Sequence, residues 1–248
     1  MIFLHIIAAT TVVGLISFSG VLFFLAKENN HHRLTFYFVS LASGTMLGNA
    51  FMNLIPEAMD QNHDNALIMI ALGIFIFFIL EQFLIWRHCH SHEHSTDHQK
   101  PIAARMVIIG DAVHNFIDGA MIASAFLIDA RVGMAVTTAI ILHEIPQEMG
   151  DFGILIRGGY SVKRALIVNA WTATTALIGA TATYVFLETA PLAQTFLVPI
   201  IAGGFLYIPL ADLIPQLHEK VALKQMLIQI ALLLGGFGLM TMFRHGHG

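Results

Sequence analysis

Long apolar segments alternate along the chain with short polar ones, and most of the apolar segments exceed 20 residues. A helix needs about 20 apolar residues to cross the hydrocarbon core of a bilayer. The pattern therefore predicts eight membrane-spanning helices, at 3–26, 34–59, 65–86, 102–127, 132–156, 162–186, 194–216 and 225–243. The fourth, fifth and seventh carry polar residues near their middle, so those faces should contact protein or water rather than lipid.

The composition agrees with a membrane protein and excludes several other classes. Hydrophobic residues make up 56% of the 248 positions and charged residues only 11%, whereas a soluble domain has about 25% charged residues. The net charge of −4 is too small to indicate a nucleic-acid partner. A single cysteine, Cys89, excludes an internal disulfide framework. We therefore predict an all-α protein that forms one transmembrane domain over 1–248 and has the lipid bilayer as its surroundings.

Lysine and arginine residues concentrate in one set of connections between the predicted helices. That set and the adjoining helix ends hold ten of the twelve cations: Lys27, Arg33, Arg87, Lys100, Arg105, Arg157, Lys163, Arg164, Lys220 and Lys224. The other set holds only Arg131 and Arg244. Because cytoplasmic loops are enriched in Lys and Arg, we expect both termini outside the cell and the 87–101 connection in the cytoplasm. The expected location is the inner (plasma) membrane of a prokaryote.

A short sequence motif occurs twice. Residues 53–57 read N-L-I-P-E in the second predicted helix, and residues 212–216 read D-L-I-P-Q in the seventh. A patch of small residues precedes each copy, at 42–44 and at 202–204. The two helices run in opposite directions in the predicted topology, which indicates an inverted repeat of helices 1–3 and 6–8 around a central helix 4–5 pair. The alternative is a chance recurrence of proline and small residues, which are common in membrane helices.

The fourth and fifth predicted helices each carry a stripe of polar side chains. In the fourth helix, residues spaced i, i+3, i+4 and i+7 share one face: Asp111, His114, Asn115 and Asp118. In the fifth helix the stripe consists of His143, Gln147 and Asp151, flanked by Glu144 and Glu148. A short turn around 129–131 makes the two helices antiparallel neighbours. Since both histidines fall near the middle of their spans, the two polar faces should meet at mid-depth in the membrane.

Ionisable groups buried at this depth need compensation. Each costs roughly 2.5–3.5 kcal/mol on insertion scales. A divalent cation compensates best, because it neutralises two carboxylates and binds imidazole nitrogen directly. The mixed nitrogen and oxygen set favours a borderline ion such as Zn²⁺, whereas an all-oxygen set would favour Ca²⁺ or Mg²⁺. The structural alternative is a network of hydrogen bonds that joins the two helices.

At these residues the sequence resembles the ZIP (Zrt-, Irt-like) family of metal transporters. It is similar to the branch whose fourth helix carries G-D-x-x-H-N-F-x-D-G, matched here by 110–119. The fifth helix of that branch carries H-E-x-P-H-E-x-G-D, matched by 143–151 with one departure. Residues 44–57, and 205–207 with Asp212, are similar to that branch too. The resemblance covers nearly the whole chain and implies an eight-helix, three-two-three arrangement with outward termini.

The resemblance also implies a homodimer and a site for one or two metal ions. The first position would be formed by His114, Asp118, His143 and Gln147, with Met46 as a soft contributor. Asn115 and Glu144 would belong to an adjacent second position. Further residues are expected along the pathway or behind the ligands: Asn49, Asn53, Asp111, Glu148, Asp151 and Asp212. The family implies that one group of helices moves against another, by an elevator-like or a rocking movement.

Three positions depart from that branch. Gln147 stands where the branch usually has histidine, which removes an imidazole and should weaken or retune the first metal position. Asn49 and Asn53 stand where the branch often has aspartate and histidine, so the entrance is less charged. For these reasons Fe²⁺, Mn²⁺ and Cd²⁺ remain alternative substrate ions beside Zn²⁺.

The predicted cytoplasmic loop at 87–101 is rich in histidine. It contains His88, His90, His92, His94 and His98. A tract of this kind can bind metal weakly and exchange it quickly, which suggests capture of metal ions at the cytoplasmic face. The alternative is a solvated linker whose histidine content is incidental.

Two other functions compete with metal import. Residues 143–147 are one residue away from H-E-x-x-H, in which two histidines bind zinc and the glutamate activates water. An intramembrane zinc metalloprotease is therefore the main alternative, although Gln147 is a poor substitute for the second histidine and Pro146 lies inside the motif. A metal exporter is the second alternative, although the two helix motifs are not typical of exporters. We expect no enzymatic activity and expect transport of a divalent transition metal, foremost zinc, toward the cytoplasm.

Overall fold

The computed structural model describes residues 1–20, 28–61, 64–89, 99–218 and 222–243, and every regular element within these ranges is a helix. Its α-helices are α1 Ile2–Ile16, α2 Glu28–Asn49, α3 Ala66–Cys89, α4 Gln99–Ile128, α5 Ala130–Arg157, α6 Val162–Thr189, α7 Gln194–Ile208 and α8 Leu223–Met240. Two of them continue through a π-helical turn, and we keep their labels for the continuations: Ala50–Leu54 and Ile55–Gln61 in α2, and Pro209–Leu213 and Ile214–Gln216 in α7. The all-α fold class is confirmed.

Each predicted span overlaps one of these helices, and residues 21–26 of the first span lie outside the described ranges. Six of the helices in the described ranges are long and apolar enough to cross a membrane by length and hydropathy: α1, α2, α3, α6, α7 and α8. The other two, α4 and α5, carry the acidic residues and the histidines of the two polar stripes. Those polar residues lower the hydropathy of α4 and α5. Eight membrane crossings and termini on the outer side of the membrane therefore stay predictions.

The helices pack as two groups. Contacts are extensive between α4 and α6 and between α4 and α5, and α1 packs on both α5 and α6. We call α1, α4, α5 and α6 the first helix group. Extensive contacts also join α2 to α8 and α3 to α7, and we call α2, α3, α7 and α8 the second helix group. The largest contact between the two groups is that of α2 with α5.

The two copies of the repeated motif have the same local structure. In each, a five-residue π-helical turn ends just before an Ile-Pro pair, at 55–56 in α2 and at 214–215 in α7. Proline lacks a backbone donor and interrupts the α-helical hydrogen bonds, which accounts for a wider turn at the same place in both. The small-residue patches are also used alike, since Gly44 contacts α8 and Gly203 contacts α3. In the predicted repeat, α2 corresponds to α7 and α3 corresponds to α8. The contact between α2 and α8 therefore corresponds to the contact between α7 and α3.

The crossing of α4 and α6 depends on two glycines. A Cβ atom added at Gly119 would overlap the carbonyl oxygen of Ala176, and one added at Gly179 would overlap that of Phe116. At the same crossing, Thr175 Oγ1 donates a 2.6 Å hydrogen bond to a backbone carbonyl of α4. The backbone of α4, which carries one of the polar stripes, is thereby held directly against α6.

We expect the Gly179→Ala variant to be less stable than the parent protein by about 1–3 kcal/mol, the usual cost of overpacking a tight contact. The added methyl group would collide with the backbone of α4 at Phe116, which cannot move aside as a side chain can. Thermal unfolding in detergent measures the effect. The matched control is Gly235→Ala in α8, where an added Cβ meets nothing within 4 Å, and its stability should be unchanged or slightly higher. Equal losses in both variants would contradict the crossing described here.

Candidate metal centre

Four side chains of α4 and α5 converge on one point. His114 and Asp118 stand one helical turn apart on α4, and His143 and Glu144 are adjacent on α5. Each offers one ligand atom, and these atoms all lie within 4.8 Å of one another. The turn before α5 supports this pairing, because Asp129 caps the helix and accepts a 2.7 Å hydrogen bond from the backbone N–H two residues later.

The spacing of the ligand atoms fits a four-coordinate ion. Zn²⁺ binds nitrogen and oxygen at about 2.0–2.1 Å, which puts neighbouring ligands of a tetrahedron about 3.3–3.4 Å apart. His143 Nε2 lies 3.3 Å from Asp118 Oδ2 and 3.5 Å from Glu144 Oε1. His114 Nε2 lies 3.3 Å from Glu144 Oε1, 3.2 Å from His143 Nε2 and 3.8 Å from Asp118 Oδ2. Four of these five separations thus lie near the tetrahedral edge, and the fifth, 3.8 Å between His114 and Asp118, is longer.

The group is buried, and three of its four carboxylate oxygens accept no well-formed hydrogen bond from the described residues. Asp118, His143 and Glu144 are at most 1% exposed, while His114 is 24% exposed. Within the described residues, neither oxygen of Asp118 nor Oε1 of Glu144 accepts a well-formed hydrogen bond. Buried polar groups are normally paired, and a buried charge without compensation is expensive. A cation between the two carboxylates would remove this cost.

His143 is oriented by its own helix. Its Nδ1 lies 3.2 Å from the carbonyl oxygen of Ala139, one turn earlier in α5. A carbonyl oxygen can only accept, so Nδ1 carries the proton and, in the neutral ring, Nε2 keeps its lone pair. Fixing the tautomer in this way is the usual arrangement behind a metal-binding histidine. Nε2 is the atom that faces the other three ligands.

Other predicted residues form a buried polar layer next to this group. Asn115 Nδ2 donates to Asp111 Oδ1 at 2.7 Å and to the carbonyl oxygen of the same residue at 3.2 Å. Glu148 is fully buried, and its Oε2 accepts a 2.7 Å hydrogen bond from Asn169 Nδ2 of α6. Asn169 was not among the predicted residues, because among the positions three or four residues away only Thr172 is polar, which makes no stripe. These bonds tie α5 to α6 and hold the polar face of α4.

A cavity of about 280 Å³ extends from His114 along α3, α4, α5 and α7. Among the predicted residues it is lined by Asp111, His114, Gln147, Asp151 and Asp212. Gln147 therefore lies beside the four-ligand group, on the wall of the cavity. Glu81 and Tyr207 also line this cavity, and Tyr207 donates a hydrogen bond to Glu81. Glu81 was not predicted, although a lone carboxylate inside an apolar span is itself a signal of function.

The remaining predicted residues of α2 lie away from this cavity. Met46, Asn49 and Asn53 are all buried, at 0%, 0% and 3% exposure. Asn53 Nδ2 donates a 3.0 Å hydrogen bond to Asn49 Oδ1. None of the three lines the cavity beside His114, and Met46 belongs to the hydrophobic core.

The two ends of the predicted histidine-rich loop fall within helices of the described ranges. The structure extends α3 to Cys89, so that His88 belongs to its last turn, and begins α4 at Gln99. Helix α3 thus continues past the end of its apolar segment, and a loop between the two helices stays a prediction. His90, His92, His94 and His98 lie outside the described residues, and their capture of metal ions stays a prediction.

Known proteins resemble this chain over most of its length. A family model described as ZIP zinc transporter matches residues 2–100 and 85–244. Zinc transporter ZIP13 of Pongo abelii is 32% identical over 222 residues, which cover 83% of this chain and 65% of that protein. Zinc transporter foi of Drosophila melanogaster is 37% identical over 150 residues, covering 60% and 21%. Zinc transporter YKE4 of Saccharomyces cerevisiae is 26% identical over 252 residues, covering 87% and 73%.

The chain spans less than two thirds of the length of the first two relatives, at 65% and 21%. All three come from animals or yeast, so location in a prokaryotic inner membrane stays a prediction. The apolar helices found here support an integral membrane protein. Since the family model matches both halves of the sequence, the chain belongs to the ZIP zinc transporter family.

Proposed function

We propose that this protein transports divalent transition-metal ions, foremost zinc, across a membrane toward the cytoplasm. The ion binds between α4 and α5. The observation that carries the proposal is the group formed by His114, Asp118, His143 and Glu144, whose ligand atoms lie within 4.8 Å of one another. Zinc is the transported substrate in this proposal and not a resident cofactor. Membership of a family of transporters supports movement of the ion rather than catalysis with it.

Asn115 and Gln147 complete the proposed site. Asn115 Oδ1 is buried and has no hydrogen-bond partner among the described residues, so it is available to a second ion shared through Glu144. Gln147 lines the cavity beside His114, where its amide oxygen can meet an ion that leaves the four-ligand group. An amide oxygen is a weaker ligand than imidazole for a borderline metal. The amide of Gln147 in place of an imidazole therefore supports a first metal position that releases its ion readily.

All eight helices cross the membrane in the proposed topology. α4 has 30 residues and α5 has 28, so at 1.5 Å per residue they are about 45 and 42 Å long. The hydrocarbon core is about 30 Å thick. Their length therefore suffices, and their polar faces are turned toward each other and away from lipid. The similar π-helical turns of α2 and α7 support the inverted repeat that accompanies this topology.

The cavity supports release toward the cytoplasm. Four carboxylates line it and attract a cation that leaves His114: Glu81, Asp111, Asp151 and Asp212. In the proposed orientation these residues lie in the cytoplasmic halves of their helices. Toward the outer side, Met46 and Asn49 are fully buried, which suggests that the outer path is closed in this conformation. The division of contacts into two helix groups supports a movement of the first group, which carries the ligands, against the second.

The metalloprotease alternative is weaker than transport. Glu144, which would have to activate water, contributes Oε1 to the ligand group at 3.3 Å from His114 Nε2. Gln147 replaces the second histidine of the protease motif and lies on the cavity wall. The choice among Zn²⁺, Fe²⁺, Mn²⁺ and Cd²⁺ depends on geometry and availability more than on the ligand set. A homodimer remains a prediction of the family resemblance.

Replacing Asp118 or His143 by alanine removes a ligand from the proposed group, so zinc uptake into proteoliposomes should fall to background. The loss of zinc affinity should exceed the roughly 10–100-fold cost of losing an outer partner of a ligand. The control is Thr174→Ala on α6. This threonine is exposed, and its hydroxyl donates a hydrogen bond to a backbone carbonyl of its own helix. Uptake near the parent rate by correctly inserted Asp118→Ala protein would contradict the proposed site.

Replacing Gln147 by histidine should raise zinc affinity and slow release, because imidazole nitrogen suits Zn²⁺ better than an amide oxygen does. Equilibrium binding and initial uptake rates are measured on the same preparation, with Mn²⁺ as competitor. Gln147→Asn, which keeps the amide and shortens the side chain, is the matched control and should not gain affinity. If histidine and asparagine change zinc affinity alike, Gln147 takes no part in holding the ion.

A further inference from the structure

A second cavity, of about 650 Å³, lies between α1 and α5, away from the candidate metal centre. One face of each helix forms its walls, with residues spaced i, i+3, i+4 and i+7 on α1 and i, i+4, i+7 and i+8 on α5. These residues are His5, Ala8, Ala9 and Val12 on α1, and Ala130, Met134, Thr137 and Thr138 on α5. Phe126 of α4 and Phe243, three residues beyond the end of α8, complete the lining. The alanines leave the space between the two helices unfilled.

The walls offer almost no polar group to an occupant. The two threonine hydroxyls are already used, since Thr137 Oγ1 donates to the carbonyl of Gly133 at 2.7 Å and Thr138 Oγ1 donates to that of Met134 at 2.8 Å. Their methyl groups and the neighbouring alanine, valine, methionine and phenylalanine side chains form an apolar surface. An occupant that carried polar groups along this wall would lose their hydration without compensation. The cavity therefore suits a hydrocarbon chain.

The cavity opens at the surface of the protein and runs along α1. Val12 is 47% exposed and Met134 is 46% exposed, and α1 is one of the helices apolar enough to span a bilayer. Seven residues separate His5 from Val12, a distance of about 10 Å along the helix. This is shorter than one leaflet of the hydrocarbon core, about 15 Å. His5 lies near the beginning of α1, at the end where lipid headgroups are expected.

His5 is the only ionisable side chain of this lining. It is exposed, and its ring stacks near that of Phe126, with centroids 6.2 Å apart. An imidazole N–H can donate a hydrogen bond to a phosphate oxygen. The lining thus combines a long apolar slot with one donor at the membrane surface.

We propose that this cavity binds one acyl chain of a membrane phospholipid, whose headgroup phosphate lies beside His5. The site is separate from the metal-binding group and does not depend on transport. It is formed mainly by helices of the first group, with Phe243 added from the end of the second group.

The test uses a phosphatidylcholine with a photoactivatable diazirine in the middle of one acyl chain, incorporated into proteoliposomes of the intact protein. After irradiation, mass spectrometry locates the lipid adducts. We expect adducts on the α1 and α5 residues of the lining to be several-fold more frequent than adducts on the exposed face of α8. Equal labelling of both faces would mean unspecific contact with bulk lipid and would overturn the proposal.

A cavity-filling variant tests whether labelling of α1 and α5 depends on the open cavity. Ala8→Trp places an indole in the slot at an exposed position of α1, and it should reduce the α1 and α5 adducts several-fold. Ala231→Trp makes the same change on the exposed face of α8 and should leave them unchanged. Zinc binding by both variants verifies that they are folded. Undiminished labelling in Ala8→Trp would overturn the proposal.

The competing occupant is a second copy of this chain. Ala8→Cys in a Cys89→Ser background, oxidised in the membrane, tests this directly. We expect no disulfide-linked dimer, because a lipid chain covers the position. A disulfide-linked dimer would mean that another protomer covers the cavity and would also overturn the proposal.

Discussion

The structure depends on one electrostatic constraint, the burial of Asp118 and Glu144 beside two imidazoles inside a helical bundle. Three of the four side chains are at most 1% exposed, and the carboxylate oxygens nearest the histidines have no well-formed hydrogen bond in the described part of the chain. At membrane depth each such group costs roughly 2.5–3.5 kcal/mol. A divalent cation removes the mutual repulsion of the carboxylates and uses the lone pair of each Nε2. The same cost makes the ion-free group unfavourable, which favours loading from dilute solution.

The surrounding helices keep these four side chains in position. α4 is fixed against α6 through Gly119 and Gly179, where no side chain fits. α5 is tied to α6 by the hydrogen bond between Glu148 and Asn169, and His143 is oriented by a carbonyl of its own helix. The ligands, their supports and α1 therefore belong to one packed unit. The second helix group meets this unit chiefly through α2 and α5, and none of the four side chains belongs to it, which is compatible with the proposed movement of one group against the other.

Much of this site could be predicted from the sequence. The spacing of Asp111, His114, Asn115 and Asp118 identifies one helix face, and the short turn before α5 makes the two polar faces neighbours. Periodicity does not determine how far each helix is rotated or at what height the faces meet. For this reason it could not distinguish Glu144, which joins the ligand group, from Gln147, which lines the cavity. Asn115 likewise lies on the predicted face, but its amide nitrogen is engaged by Asp111.

Isolated polar residues were the hardest to interpret from sequence. Glu81 has no polar residue three or four positions away, and Asn169 has only Thr172, so no stripe identified them. Only packing brings Glu81 to the cavity and Asn169 to Glu148. Helix ends are also hard to place from sequence, since α3 remains helical to Cys89 although its last residues are polar. The apolar segment of a membrane helix ends at the surface of the bilayer, whereas the helix itself can continue into water.

Zinc X-ray absorption spectroscopy of the purified, zinc-loaded protein tests the central claim most directly. We expect a first shell of nitrogen and oxygen atoms only, about four in number at about 2.0–2.1 Å, with the scattering of two imidazole rings. In His143→Ala protein the imidazole contribution should fall by half. A shell of six oxygens without imidazole scattering, or a spectrum unaffected by the loss of His143, would contradict a site formed by His114, Asp118, His143 and Glu144.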